Sequence, residues 1–565
     1  MKRLFLALGA ILSLSMSFAQ SVQDGKRFLY QQRTKSARET FEKVLAANPA
    51  DVEANYWLGQ TFLVADDVAA AKAHYAKAMT ATQQNPLIMV GAGHVELLEK
   101  KNAEARAHFD AALAPTKNKK NKNYGDANLL AAIGRANADG GSDFGDADYG
   151  IARLKEAAEL DATNPEPLVS MGIAHLKRGA EYGGQAKIAF DEALVRDPKH
   201  ARAYVRIGKI FESQKNTPIL LENYTKAVEV DPSYAPGYLT LYTYYQNRDV
   251  NKAKEYLDKY IATADKDRET DYFAADYMFR AGRYQESLDA AKAIDAGLDG
   301  ASYPKLQRLY AYNYDRLGDS VAAKNAMEKY MQTELPEKLT GDDYAMSAKT
   351  YLRVPGNEAQ ADAAVEKAVA ADTSMVNKVE YMKQMAAAYA LAGNPAGQFK
   401  WLEKAYALKP DNSARNLFFM ADAAIRSKNY DAAQRISELY ISNYADQPQG
   451  YNFLKNSAIA QDADTSKGSA IAAIERQNQY YMTDTAKNKN RIIQNNGYKV
   501  YYYLVKAKDY NKALESANAI LALDPANNYG LMAKKEAERL LAAPAPRQTA
   551  EKKPAPAKGS GGAPK

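Results

Sequence analysis

A helical pattern that returns about every 34 residues, and that prolines repeatedly bring to a stop, limits what this chain can become. The stops read Asn48-Pro49, Asn164-Pro165, Asp197-Pro198, Asp231-Pro232, Lys409-Pro410 and Asp524-Pro525. Proline disfavours a helical conformation in the residue before it and cannot donate to the preceding turn, so each stop ends one helix and resets the chain. Between stops, small and large residues recur at spacings of four and three, as in Ala37-Phe41-Val44, Ala105-Phe109-Ala112 and Ala186-Phe190-Ala193. Those spacings put all three on one helix face. Each unit then reads as two antiparallel amphipathic helices, which bury their apolar faces by stacking on their neighbours. A chain of 565 residues built this way extends one continuous core without closing it into globular domains.

Two stretches carry the pattern most plainly. From Tyr56 the order is Leu58-Gly59, Phe62, Ala71, Tyr75 and Ala78, up to Pro86; from Tyr204 it is Ile207-Gly208, Phe211, Leu220, Tyr224, Ala227 and Asp231-Pro232. Small residues such as Gly59, Gly93, Gly172 and Gly208 are expected to let the first helix approach the second, with aromatic rings filling the space between. This order resembles the tetratricopeptide repeat. Roughly thirteen units fit between Val22 and Pro525. The spacing is clear as far as Pro232, looser over Ser302 to Pro410 and Gln494 to Pro525, and weak around Ile261 to Gly300 and Gln447 to Asn490. The resemblance implies an all-α, right-handed superhelical solenoid of stacked helix-turn-helix repeats. It also implies a scaffold or adaptor that binds a protein or peptide along its concave face, with two alternatives: a repeat-containing envelope enzyme or a purely structural surface protein.

The ends read differently from the middle. Lys2 and Arg3 precede an apolar stretch from Leu4 to Met16, and Ser17-Phe18-Ala19 follows with small residues at its outer positions. That order predicts a secretory signal peptide over residues 1–19, cleaved near Ala19, and hence a periplasmic or otherwise exported protein of a Gram-negative-type envelope. The absence of cysteine leaves neither a lipid-modified thiol nor a disulfide, and no membrane-spanning helix is expected in the mature chain. Repeats are expected over 20–114, a basic loop insertion over 115–126, and repeats over 127–335 with an acidic, glycine-rich loop at 139–150. Divergent repeats follow over 336–526, then a capping helix over 527–543. The Pro, Ala and Lys-rich residues 544–565 lack an apolar face and are expected to form a disordered tail.

Catalytic and cofactor signatures were sought and none carries weight. Formal net charge is +7, and removing Lys2 and Arg3 lowers it by two, too little to imply nucleic-acid binding. His74, His94, His108, His175 and His200 lack zinc-hydrolase spacing and read as isolated histidines on the repeat surface. Asp139, Asp143, Asp146 and Asp148 offer oxygen ligands for calcium, but not in the order of a helix-loop-helix site, so solvated loop carboxylates are expected. Gly179 to Ala186 lacks the lysine and hydroxyl of a phosphate loop, and no Gly-x-Ser-x-Gly elbow occurs. The expectation is a non-enzyme without cofactor or metal.

The candidate binding face lies on the first helix of the repeat beginning near Ala201. Tyr204, Ile207, Gly208 and Phe211 form its packing side, which leaves Arg202, Arg206 and Lys209 on neighbouring turns, able to receive a carboxylate or an acidic peptide segment. Arg135, from an earlier first helix, and Gln246 and Asn247, from the next, extend that face. The resemblance to chaperone-adaptor repeats would imply a clamp for a terminal carboxylate, but Glu166, Val169, Leu239 and Thr243 do not complete it. The expected site is a looser groove.

Overall fold

The structure is a computed structural model and describes residues 21–117, 125–139, 144–298 and 302–542. The expected signal peptide, most of the basic insertion, Asp143 and the terminal tail lie outside the described residues. Among the described residues every regular element is helical and there is no β-strand. The all-α array of stacked helix pairs read from the sequence is therefore the fold.

The chain divides into two units, Met1–Leu317 and Gly318–Lys565. The expected change to divergent repeats at 336 falls on a short 3-10 turn, Pro336–Lys338, inside the second unit. In the first unit eight helix pairs run from 21–30 with Thr34–Ala47 to Arg268–Arg280 with Tyr284–Ala296, followed by Pro304–Leu317. The second unit opens with Ser320–Thr333, continues through five pairs, and ends on the single helix Asn528–Ala542. That last helix occupies the place of the expected cap, and Leu531 and Met532 are exposed on it.

Glycine and ring fit together within the pairs as the spacing suggested. A Cβ on Gly59 would stand 2.1 Å from the Tyr75 ring, and one on Gly208 would stand 2.3 Å from the Tyr224 ring. Both distances are far inside van der Waals contact, so only glycine permits the close helix approach. Tyr75 and Tyr224 are fully buried as a result. Their hydroxyls still find partners: Tyr75 donates to the Tyr56 carbonyl at 2.8 Å and Tyr224 to Glu212 at 2.9 Å.

Two weakly patterned segments turn out to be ordinary helix pairs with polar cores. Ser287 is fully buried and donates to the Ala275 carbonyl, while the buried Asn313 amide donates to Ser287 at 2.9 Å. In the second unit Asn495 donates to both Gln477 and Asn478 at 2.9 Å, and Gln477 donates to Asn452 at 2.6 Å. These bonds offset much of the cost of burying the groups, although the Asn313 Oδ1 keeps no partner among the described residues.

The first unit closes on itself. Several helices of this unit are capped by their own Asp or Asn, whereas Thr34–Ala47 receives no side-chain cap from Arg33. Its cap comes from Asp265 instead, in the linker between the seventh and eighth pairs. Asp265 accepts from the Ser36 backbone N–H at 3.0 Å, from the Ser36 hydroxyl, and from Arg33 Nε at 3.2 Å. Alongside, Gln31 donates to Ser233 at 2.7 Å and the Tyr30 ring lies 5.1 Å from Tyr234 and 5.4 Å from His200. The first pair thus docks on the sixth and seventh, and the intervening pairs form a ring around a central groove.

Candidate functional site

The groove has a volume of about 640 Å³ and is lined by the first helices of successive pairs. Its cations are Lys26, Arg135, Arg202, Arg206 and Lys209; Glu53, Asp139 and Glu166 are the carboxylates. Four of the six residues proposed from the sequence therefore meet in one place. The other two do not. Gln246 and Asn247 sit in the turn after helix Ala235–Tyr245, outside the lining, and Asn247 accepts a hydrogen bond from Arg280 at 2.6 Å. That helix has 11 residues against 13 in Ala201–Ser213, so both residues fall beyond its end.

Each cation is held differently. Arg202 pairs with Glu166 at 3.4 Å, and His200 Nε2 lies 3.1 Å from the other oxygen of the same carboxylate. His200 caps its own helix, its Nδ1 accepting from the Ala203 N–H at 3.3 Å, so Nε2 carries the proton given to Glu166. Burial alone would raise the Glu166 carboxyl, but Arg202, His200 and Arg135 override it and hold it at about 2. Arg135 donates to the Tyr56 hydroxyl at 2.8 Å and lies 4.6 Å from the Trp57 ring centre, with its Nε buried and unpartnered. Lys26 lies 5.5 Å from the Trp57 ring. Arg206 is half-buried and Lys209 exposed. Burial first, then the charge of Arg202, holds Arg206 below the ordinary arginine value; burial and then Arg206 act the same way on Lys209.

Sequence reasoning missed the apolar part of this groove, formed by Trp57, Leu63, Val64, Leu87 and Ile173. Periodicity assigns such residues to the core by default, and only ring closure turns their remaining exposed edges toward a common space. The histidines also need correction. His94 and His200 are buried, not on the repeat surface. His94 lies within helix Pro86–Leu98, and His200 is the N-cap of helix Ala201–Ser213. The acidic loop is shorter than expected: Asp146 caps helix Ala147–Leu160, and Asp148 pairs with Arg178 at 3.1 Å. Both carboxylates are already engaged. Among the described residues no cluster of metal-ligating side chains occurs, and no helix is long and apolar enough to cross a membrane.

His94 gives the ring a pH dependence. Neither ring nitrogen has a hydrogen-bond partner, and Asp139 Oδ2 stands 3.6 Å from Nε2. Burial lowers its pKa to about 4, with Asp139 opposing and Arg135 and Lys177 adding to the fall. The unfolded chain, with an ordinary histidine near 6.5, binds more protons between these values. The stability from neutral His94 is therefore complete above about pH 6.5 and is lost as pH falls to about 4, a change of about 3 kcal/mol. Urea denaturation of wild type and His94→Leu over this range should give a wild-type excess slope. Parallel pH curves would show that the ring does not hold His94 neutral.

With this geometry in place, the comparisons with known proteins can be read. Residues 23–86 match the tetratricopeptide repeat. This is the stretch that holds the first two helix pairs of the ring. No curated protein matches the chain. Among solved structures, the C-terminal part of a TPR repeat-containing protein from Cytophaga hutchinsonii is 23% identical over 46% of this chain and 98% of its own, with a TM-score of 0.31. The Cut9 and Hcn1 hetero-tetramer of the APC/C gives 15% identity over 94% and 98%, with a TM-score of 0.37. YrrB, described as a TPR protein with an unusual peptide-binding site, gives 22% over 36% and 97%, with a TM-score of 0.21.

Proposed function

We propose that this chain is an exported, non-enzymatic scaffold or adaptor that holds a protein or peptide partner in the groove of its first unit, in the service of cell-envelope assembly. The observation that supports this most is the convergence of Arg135, Arg206 and Lys209 from two first helices onto one groove. Stacked helix pairs are suited to recognition over several repeats, because each inner helix contributes a few side chains to a continuous surface. The order of charged, apolar and small residues over Lys2 to Ala19 supports export, and cell fractionation with N-terminal sequencing tests it: an intact Met1 on a cytoplasmic protein overturns the location.

The binding reading is tested by replacing Arg202, Arg206 and Lys209 together with glutamate. The far-UV circular dichroism should stay helical, since none of the three is fully buried. Capture of partner from envelope extracts, measured by crosslinking and mass spectrometry against wild type, should fall by about tenfold or more. Unchanged capture would remove this groove as the binding site and favour a purely structural role.

A further inference from the structure

We infer that the ring groove is a receptor for an acidic segment of an extended peptide, with Arg206, Lys209 and Arg135 as the anion-binding groups and Arg202 outside the receptor. This rests on the reading that a partner occupies the groove.

The charge pattern carries the argument. Arg202 already has Glu166, but among the described residues Arg206 has no hydrogen-bond or ion-pair partner, and neither does Lys209. Arg135 has a tyrosine hydroxyl and an aromatic face but no carboxylate at ion-pair distance. Elsewhere in this unit cations commonly have anions, as in Lys72 with Glu99 and Lys187 with Asp191, both at 2.6 Å. Inside the ring the like charges of Arg202, Arg206 and Lys209 disfavour one another, so an entering carboxylate relieves an existing repulsion as well as adding an attraction. Arg135 is already fixed between Tyr56 and Trp57, so it loses little conformational freedom on binding.

The rest of the lining selects a peptide over a nucleic acid. Sequence-tolerant binding of single strands needs free aromatic faces on which bases stack. Here Trp57 has Arg135 and Lys26 over its ring, and Tyr30 and Tyr234 lie against each other. The lining also includes the aliphatic Leu63, Val64, Leu87 and Ile173, which fit aliphatic side chains placed between the acids.

The test uses the full chain and an end-blocked probe, acetyl-(Gly-Leu-Glu)₃-Gly-amide, followed by fluorescence anisotropy at low salt. The blocked ends exclude capture of a terminal carboxylate. Relative to the same peptide with glutamine at each glutamate, binding should be at least about tenfold tighter. Arg206→Gln should abolish most of that difference. The pair Arg202→Gln with Glu166→Gln, which keeps the local charge balance, should change it by less than about threefold. Helicity of each variant is checked by circular dichroism. Equal binding of the two peptides, no binding of either, recovery of binding only when the C-terminus is left free, or stronger binding of a ten-nucleotide oligothymidylate would each overturn the proposal. If the peptides fail while the triple glutamate variant still loses partner capture, the acidic-segment inference alone fails; if capture too is unaffected, the scaffold reading of this groove fails with it.

Discussion

Replacing Asp265 with alanine is expected to release the first helix pair from the ring while the pairs beyond it stay folded. The substitution removes the only side-chain cap of helix Thr34–Ala47 and leaves Arg33 without its carboxylate. Loss of a cap and of a nearly buried ion-pair partner together should destabilise the docked state by about 2–3 kcal/mol. Hydrogen exchange reads the result directly: amides over 34–47 should lose protection by about two orders of magnitude, with Glu166–Arg178 little changed. Asp265→Asn retains one acceptor oxygen for the Ser36 N–H and should recover about half the effect. Unaltered exchange in both variants would place the closure in the Tyr30 and Gln31 contacts.

The second large effect is expected at Trp401, which is fully buried in the core of the second unit. Its indole N–H donates to Asp362 at 2.7 Å, and Asp362 also accepts from Tyr389 and Lys400. Trp401→Ala leaves a large cavity and should destabilise that unit by about 3–5 kcal/mol in urea denaturation. Trp401→Phe keeps much of the volume, and Asp362 retains two donors, so about 1–2 kcal/mol is expected. The chain has two tryptophans, Trp57 and Trp401, one in each unit. With Trp401 replaced, fluorescence follows Trp57 in the ring; a Trp57 transition that shifts with Trp401→Ala would show that the units do not unfold independently.

How much of this was legible depended on whether a residue's role is local. Gly59 with Tyr75 and Gly208 with Tyr224 are separated by sixteen residues, within one helix pair, and their spacing alone announces their contact. Arg135, Arg202, Arg206 and Lys209 could be placed on inner helices by the same periodicity. The segments around Ser287 and Gln477 were faint because buried amides and hydroxyls take the places of small and aromatic residues, and a hydrophobic pattern does not register polar groups that satisfy one another. The role of Asp265 had no local signal at all. Its partners, Arg33 and Ser36, lie more than two hundred residues away, and nothing in the linker around it marks it as a cap for a remote helix.

That distance also decides when the first helix pair can settle. In an array held by nearest neighbours, folding starts at any repeat and spreads, so the earliest residues made would ordinarily be the earliest to become stable. The Arg33 contact with Asp265 spans 232 residues, and at ribosomal speeds the second partner follows the first by tens of seconds. During that interval the pair at 21–47 has its neighbour at 52–81 but no capping carboxylate for Thr34–Ala47. Closure of so long a loop adds a slow, non-local step to an otherwise local folding reaction. The oldest part of the nascent ring is therefore the last to acquire its final protection.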